Sequence, residues 1–306
     1  MKFDILIDKQ FIELALDKSL TPIENKMVLS FANDFEDGEW RYSKFQNFIW
    51  DNICETALSQ LEREKLAAQS HTKLTAAARN LRLTDKADDI SQGSELAEIV
   101  LYGIMKNHYK ALPVVPKIFY KQNSQDNAKG ADSVHIVLES NGDFSVWFGE
   151  AKFYNSIEDA RIPEILKSVS NSLNSDKLKK ENSIVTNLSD INALVADKAL
   201  LGKIKSALSN QSTLDNLKPR LHIPILLLHE CKITASTNQN TEKYVRDIVT
   251  YHTERANSFF KKQIKYLGST THLYEKLHFH LILFPVPNKK LIIDKFVKHV
   301  EFYKEQ

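Results

Sequence analysis

The sequence predicts an α/β protein in which a mixed central sheet lies between helices. Short segments with strand patterns alternate with longer helical segments along the chain, which is typical of this layered class. Residues 222–229 are apolar almost throughout, as in a strand that is covered on both faces. The 306 residues are 42% hydrophobic with eight glycines and eight prolines, so we expect a packed core and little disorder.

The first 90 residues are predicted to form an N-terminal region of mixed structure. Residues 45–66 have a mainly helical pattern, residues 34–39 form an acidic turn, and residues 79–92 are polar and loop-like. Residues 1–70 carry 8 Lys and Arg against 13 Asp and Glu, a net charge of −5. Residues 240–306 carry 12 against 7, a net charge of +5, so the two ends are expected to contact different partners.

Residues 91–306 are predicted to form a second domain built from alternating elements. Its first helix has Ser94 as the N-cap and carries Glu98 near its buried face. A helical insertion, rich in Lys, Asn, Ser and Leu, is expected at about residues 176–220. The predicted elements in order are a helix (94–105), three strands (114–120, 134–138 and 144–148), a helix (156–173), the insertion, a strand (222–229), a helix (241–267), a strand (277–283) and a helix (290–303).

The second and third of these strands are expected to form a β-hairpin that brings three charged residues together. A three-residue loop ending at Gly142 suits the turn, because glycine adopts a positive φ at no steric cost. This register sets Asp132 opposite Glu150, and Lys152 shares their face because strand side chains alternate. The rival register, with a two-residue Asn-Gly turn, would set Asp132 opposite Ala151 and split the cluster between two faces.

This cluster suggests metal-dependent phosphodiester hydrolysis. Two neighbouring carboxylates repel each other and are expensive to bury, so we expect a compensating cation. Mg²⁺, with Mn²⁺ as the alternative, suits Asp132 and Glu150 because it is a hard cation that prefers oxygen ligands. Lys152 would then orient or help deprotonate a metal-bound water, or stabilise charge in the transition state. The alternative is that Glu150 and Lys152 are only an ion pair on an exposed strand.

A third carboxylate is expected from the preceding helix. Glu98 lies beside the apolar face of that helix, where an unpaired carboxylate would be expensive. It is either a metal ligand, a solvated residue at the edge of the face, or the partner of a basic side chain. Glu95 lies in the first turn, where a negative charge suits the helix dipole. The sequence leaves open which of the two completes the site.

The order of these elements resembles the PD-(D/E)xK nuclease core, an α-β-β-β-α-β arrangement, although alanine replaces proline before Asp132. More specifically, the chain resembles the HamA family, the nuclease-like subunit of the Hachiman antiphage defence system. The resemblance rests on the segments LAEIVLY (96–102), KGADS (129–133) and FGEAKFY (148–154), and it covers most of the chain from about residue 92.

The resemblance implies a function and a partner. It implies Asp132 and Glu150 as metal ligands, Lys152 as the catalytic lysine and Glu98 as the helical carboxylate. The protein would be a Mg²⁺-dependent DNA nuclease with little sequence preference, the effector in a heterodimer with the helicase HamB, which restrains it. The acidic N-terminal region is the candidate docking surface. The alternatives are a stand-alone restriction or repair nuclease of this type and a catalytically inactive DNA-binding or regulatory module.

The remaining features indicate a cytoplasmic protein without membrane contact. Cys54 and Cys231 are far apart and suggest neither a disulfide framework nor a zinc site. Charged residues interrupt any N-terminal leader, and the apolar runs are too short to span a bilayer. Five lysines near the C-terminus are candidate phosphate contacts, with solvated helix faces as the alternative: Lys261, Lys262, Lys265, Lys289 and Lys290.

Overall fold

A seven-stranded mixed sheet forms the centre of the fold. The computed structural model describes residues 3–83, 93–120, 131–187, 190–209 and 211–306. The strands are β1 (Asp4–Gln10), β2 (Lys26–Ala32), β3 (Phe35–Glu36), β4 (Glu39–Trp40), β5 (Leu112–Val115), β6 (Ser133–Leu138), β7 (Phe144–Tyr154), β8 (Leu221–Glu230) and β9 (His278–Val286). The central sheet has the order β1-β2-β9-β8-β7-β6-β5, and β3 and β4 form a separate hairpin.

Helices cover both faces of this sheet. They are α1 (Phe11–Leu14), α2 (Tyr42–Ala57), α3 (Gln60–Lys65), α4 (Ser70–Arg79), α5 (Ser94–Asn107), α6 (Lys117–Tyr120), α7 (Ile162–Ser172), α8 (Ser175–Asn187), α9 (Asp190–Leu194), α10 (Lys198–Leu208), α11 (Leu214–Leu217), α12 (Lys232–Ala235), α13 (Glu242–Leu267) and α14 (Lys289–Lys304). Within the described ranges, none of these helices combines the length and the apolar character needed to cross a bilayer.

The middle of the sheet is parallel and its edges are antiparallel. β2, β9, β8 and β7 run parallel to one another, whereas β1, β6 and β5 pair antiparallel with their neighbours. Along β8, Ile223 and Ile225 belong to the core that includes α7 and α13, while Leu226 and Leu228 belong to the core that includes α2, α5 and α14. The predicted α/β class and the strand covered on both faces are therefore confirmed.

The first two strands lie in the same sheet as the C-terminal strands. β2 pairs in parallel with β9, from Lys26 opposite Phe279 to Ser30 opposite Leu283. The helical stretch predicted over residues 45–66 is present as α2 and α3. The second of these begins at a capping box in which the Ser59 hydroxyl accepts the backbone N–H of the third helical residue.

Two predicted elements differ from the structure near the hairpin. The strand predicted over residues 114–120 ends at Val115, and residues from Lys117 onward form α6. Pro116 lies between them and lacks the N–H that would extend the pairing. The helix predicted from residue 156 begins only at Ile162, after a loop and a turn that follow β7.

The start of α5 also differs from the prediction. Ser94 is the first helical residue, and Gly93 is the N-cap with a φ of 101°, a conformation that glycine adopts readily. The prediction failed because a hydroxyl residue is the usual signal for an N-cap, while this helix begins after a left-handed glycine. Most of the loop predicted over residues 79–92 lies outside the described residues.

Candidate active site

The loop between β6 and β7 sets the register of the hairpin. The backbone N–H of Glu139 donates to the carbonyl of Asp143 at 2.8 Å, which closes a three-residue loop. Gly142 occupies the third loop position with a φ of 76°, where a side chain would be strained. The predicted three-residue loop is therefore confirmed, and the rival two-residue turn is wrong.

The three charged residues meet at the far end of this hairpin. Ser133 pairs with Gly149, and one further step along both strands places Asp132 beside Glu150. The Lys152 Nζ lies 2.6 Å from Glu150 Oε1 and 3.7 Å from Asp132 Oδ2. The side chain of Lys152 is 27% exposed, that of Glu150 6% and that of Asp132 17%. The predicted cluster is therefore present, with its lysine and one carboxylate still reachable from solvent.

Burial and mutual repulsion govern the electrostatics of the cluster. Burial, and next the charge of Asp132, raise the pKa of Glu150, although Lys152 and a hydroxyl partly offset them. Burial alone would lower the pKa of Lys152, but the charges of Asp132 and Glu150 outweigh it and raise that pKa. The lysine is therefore protonated at neutral pH.

Two further hydrogen bonds hold the carboxylates in place. The Ser168 hydroxyl donates to Glu150 Oε1, the same oxygen that Lys152 contacts. The backbone N–H of Ala151 donates to Asp132 Oδ2 at 3.1 Å. Sequence analysis missed Ser168, which lies on α7 next to the buried residues Ile165 and Val169. The available signal for this contact was the position of Ser168, a hydroxyl residue at the edge of the buried face of the first long helix after β7.

The structure does not gather Glu98 into this cluster as a third ligand. Glu98 is 5% exposed and lies on α5. That helix packs on the face of β7 opposite to Glu150, since a Cβ on Gly149 would lie 2.8 Å from Cδ2 of Leu101. Within the described ranges, no three His, Cys, Asp or Glu side chains are grouped as a metal site. The role of Glu98 as a ligand stays a prediction.

Glu95 has a different task. Its two carboxylate oxygens accept the backbone N–H groups of Arg82 and Leu83, each at 2.9 Å. These bonds tie the segment after α4 to the start of α5. Both carboxylate oxygens of Glu95 are thus engaged by backbone amides, and the choice between Glu95 and Glu98 as a ligand stays open.

Comparison with known proteins decides the family. The family model described as HamA matches residues 8–300, nearly the whole chain. The chain belongs to the HamA family. Membership of the HamA family associates it with Hachiman antiviral defence. A search of curated proteins returns no match.

The carboxylates of this HamA-family chain fit a hard divalent cation. Asp132 and Glu150 offer oxygen donors, and Mg²⁺ commonly takes one or two protein carboxylates while water and phosphate oxygens complete its shell. The raised pKa of Glu150 reflects burial beside a second carboxylate, and a divalent charge there would favour its ionised form.

The five candidate phosphate contacts of this HamA-family chain differ in their surroundings. Lys289 is 4% exposed, with its Nζ 5.7 Å from the Phe153 ring centroid, so its prediction as a surface contact is wrong. Lys262 pairs with Asp159 at 2.9 Å. The other three lysines are exposed, and one of them, Lys290, also pairs with Asp294 at 2.6 Å: Lys261, Lys265 and Lys290.

Proposed function

We propose that this protein is a Mg²⁺-dependent DNA nuclease of the PD-(D/E)xK type and the effector of a Hachiman defence complex. The observation that carries the proposal is the convergence of Asp132, Glu150 and Lys152 on one hairpin inside an α/β fold. Family membership supports the defence role. The order α5, β5, β6, β7, α7 and β8 agrees with the nuclease core, with the short α6 inserted after β5 and helices α8 to α11 inserted between α7 and β8.

Each residue of the cluster has a distinct part in the proposed hydrolysis. Asp132 and Glu150 would hold Mg²⁺, or Mn²⁺, and this cation would lower the pKa of a bound water and offset charge on the leaving oxygen. Lys152 stays protonated because its pKa is raised, so it would orient the water or the phosphate and stabilise developing negative charge rather than remove a proton. Ser168 would keep Glu150 in its orientation.

The proposed substrate is DNA, recognised through its backbone with little sequence preference. Phosphate contacts position a nuclease without reading bases, and the exposed lysines of α13 and α14 are suitable for them. The proposed partner is the helicase HamB, in a heterodimer that restrains cleavage. The acidic N-terminal region remains the proposed docking surface. Charge reversal rather than deletion would test it, because β1 and β2 are strands of the central sheet.

Plasmid cleavage with and without the helicase tests this function. Purified protein is incubated with supercoiled plasmid in Mg²⁺ and in EDTA. We expect cleavage that requires Mg²⁺ and that changes when HamB is added. A cleavage rate that does not change when HamB is added would favour the stand-alone nuclease. Retained DNA binding without cleavage under any condition would favour the inactive binding module.

Removing the Ser168 hydroxyl should change the pH dependence of cleavage. The Ser168 bond lowers the pKa of Glu150, so Ser168→Ala should raise that pKa further. Glu150 would then be protonated at higher pH, so the acidic limb of the rate profile should move to higher pH, with the rate on that limb falling about tenfold. The measurement is the initial cleavage rate between pH 5 and pH 9.

Two variants on the same helix control for this experiment. Ser172→Ala removes a hydroxyl that donates to the backbone carbonyl of Val169, and it should leave the profile unchanged. Ser168→Thr retains the donor and should restore the acidic limb. An unchanged profile in Ser168→Ala would show that the hydroxyl does not act on Glu150.

A further inference from the structure

A buried ion pair lies next to the segment that carries Asp132. Lys117 Nζ, at the start of α6, is 2.6 Å from both Oε1 and Oε2 of Glu181 on α8. Both side chains are 4% exposed. Glu181 Oε1 also accepts the backbone N–H of Ala131 at 3.2 Å. One carboxylate therefore joins α6, the helical insertion and the chain that enters β6.

The residue after Ala131 is bound to the neighbouring strand β7. Asp132, the next residue, donates its backbone N–H to the carbonyl of Gly149 at 2.8 Å. The Asp132 carboxylate accepts the backbone N–H of Ala151, which lies on β7 as Gly149 does. The position of Asp132 thus depends on the β7 backbone on one side and on the acceptor that Glu181 offers to Ala131 on the other.

Stability alone explains this pair poorly. Burying two charges costs several kcal/mol per ion, and apolar replacements of similar volume are often neutral or stabilising. The pair instead fixes the orientation of the Glu181 carboxylate. Lys117 contacts this carboxylate, which in turn accepts the buried backbone N–H of Ala131. A displacement of about 1 Å at a reacting group can cost about 10²-fold in rate.

We propose that Glu181 is a positioning residue for Asp132, acting as the acceptor for the backbone N–H of Ala131. The inference rests on the proposed function and deepens it. It gives the helical insertion an indirect role at the cation site, because Glu181 belongs to the insertion and contacts the residue before Asp132. Losing the acceptor at Glu181 should weaken cation binding while leaving the fold intact.

Two double variants isolate that acceptor. Lys117→Met/Glu181→Gln removes both buried charges and keeps an oxygen for the Ala131 N–H. Lys117→Met/Glu181→Met removes the same charges at the same side-chain length and keeps no acceptor. Neither variant leaves one member of the Lys117–Glu181 pair buried without the other, so both are expected to fold with similar melting temperatures.

Cation binding and amide exchange are measured on full-length protein. Mn²⁺ is titrated calorimetrically, and hydrogen exchange of the Ala131 amide is followed without metal. We expect the Met/Met variant to need about tenfold more Mn²⁺ for half-saturation and to expose the Ala131 amide, with the Met/Gln variant staying within about twofold of wild type. Plasmid cleavage should follow the same order.

Three results would overturn the inference. Rapid exchange of the Ala131 amide in wild type would show that the contact does not hold, whatever the variants do. Equal Mn²⁺ midpoints in the two variants, with wild type binding Mn²⁺ and cleaving DNA, would overturn this inference alone. Wild type that neither binds Mn²⁺ nor cleaves DNA would overturn the proposed function and the inference with it.

Discussion

Alanine at both Glu150 and Lys152 is expected to lower the rate of plasmid cleavage by about 10³-fold or more. The change removes one proposed metal ligand and the cation that would stabilise developing negative charge. It takes away both members of an ion pair 2.6 Å apart, so neither charge is left buried without its partner. The initial rate of supercoiled plasmid cleavage in Mg²⁺ gives the measurement.

A second ion pair provides the matched control. Lys243 and Asp247 form a 2.6 Å pair on the exposed side of α13, with side chains 78% and 41% exposed. Lys243→Ala/Asp247→Ala removes the same two kinds of charge and should cleave at the wild-type rate. Near-wild-type cleavage by the Glu150→Ala/Lys152→Ala variant would show that the chemistry lies elsewhere.

Gly103→Ala is expected to destabilise the fold by about 2 kcal/mol, since overpacking a core costs about 1–3 kcal/mol. A Cβ on Gly103 would lie 2.5 Å from Cζ of Phe48 and 2.8 Å from Nδ2 of Asn52. Phe48 is 2% exposed and its ring lies 4.8 Å from that of Phe3, so it has little room to move. Alanine has a higher helix propensity than glycine, but this difference stabilises the fold by at most about 1 kcal/mol, which is less than the expected cost of the clash. Urea unfolding measures the difference.

Gly202→Ala is the control for this prediction. Gly202 also lies inside a helix, α10, but a Cβ there meets no atom within 4 Å. Only the difference in helix propensity then matters, and we expect the free energy of unfolding of this variant to rise by up to about 1 kcal/mol. A Gly103→Ala variant that gains stability as Gly202→Ala does would contradict the close approach of α2 and α5.

The charged cluster could be predicted because its geometry is set locally. A glycine at the third loop position fixes the hairpin register, and the register alone places Asp132 beside Glu150 and Lys152. The buried strand β8 could be predicted because residues 223–228 form a continuous apolar run at its centre. In both cases the information lies within a few residues of the feature.

The supporting contacts could not be predicted because they join residues far apart in sequence. Glu181 meets Lys117 across 64 positions and Ala131 across 50, and no local pattern marks either pair. The pairing of β2 with β9 crosses almost the whole chain. The N-cap of α5 was missed for a different reason, because Gly93 uses backbone conformation instead of a side-chain acceptor.

Diffraction from crystals soaked in Mn²⁺ tests the central claim most directly. The account predicts an anomalous difference peak between the carboxylates of Asp132 and Glu150, about 2.1 Å from an oxygen of each, as expected for a small hard cation. Ordered Mn²⁺ bound elsewhere, or the Lys152 ammonium filling that position at saturating Mn²⁺, would contradict a metal-dependent nuclease centre at this hairpin.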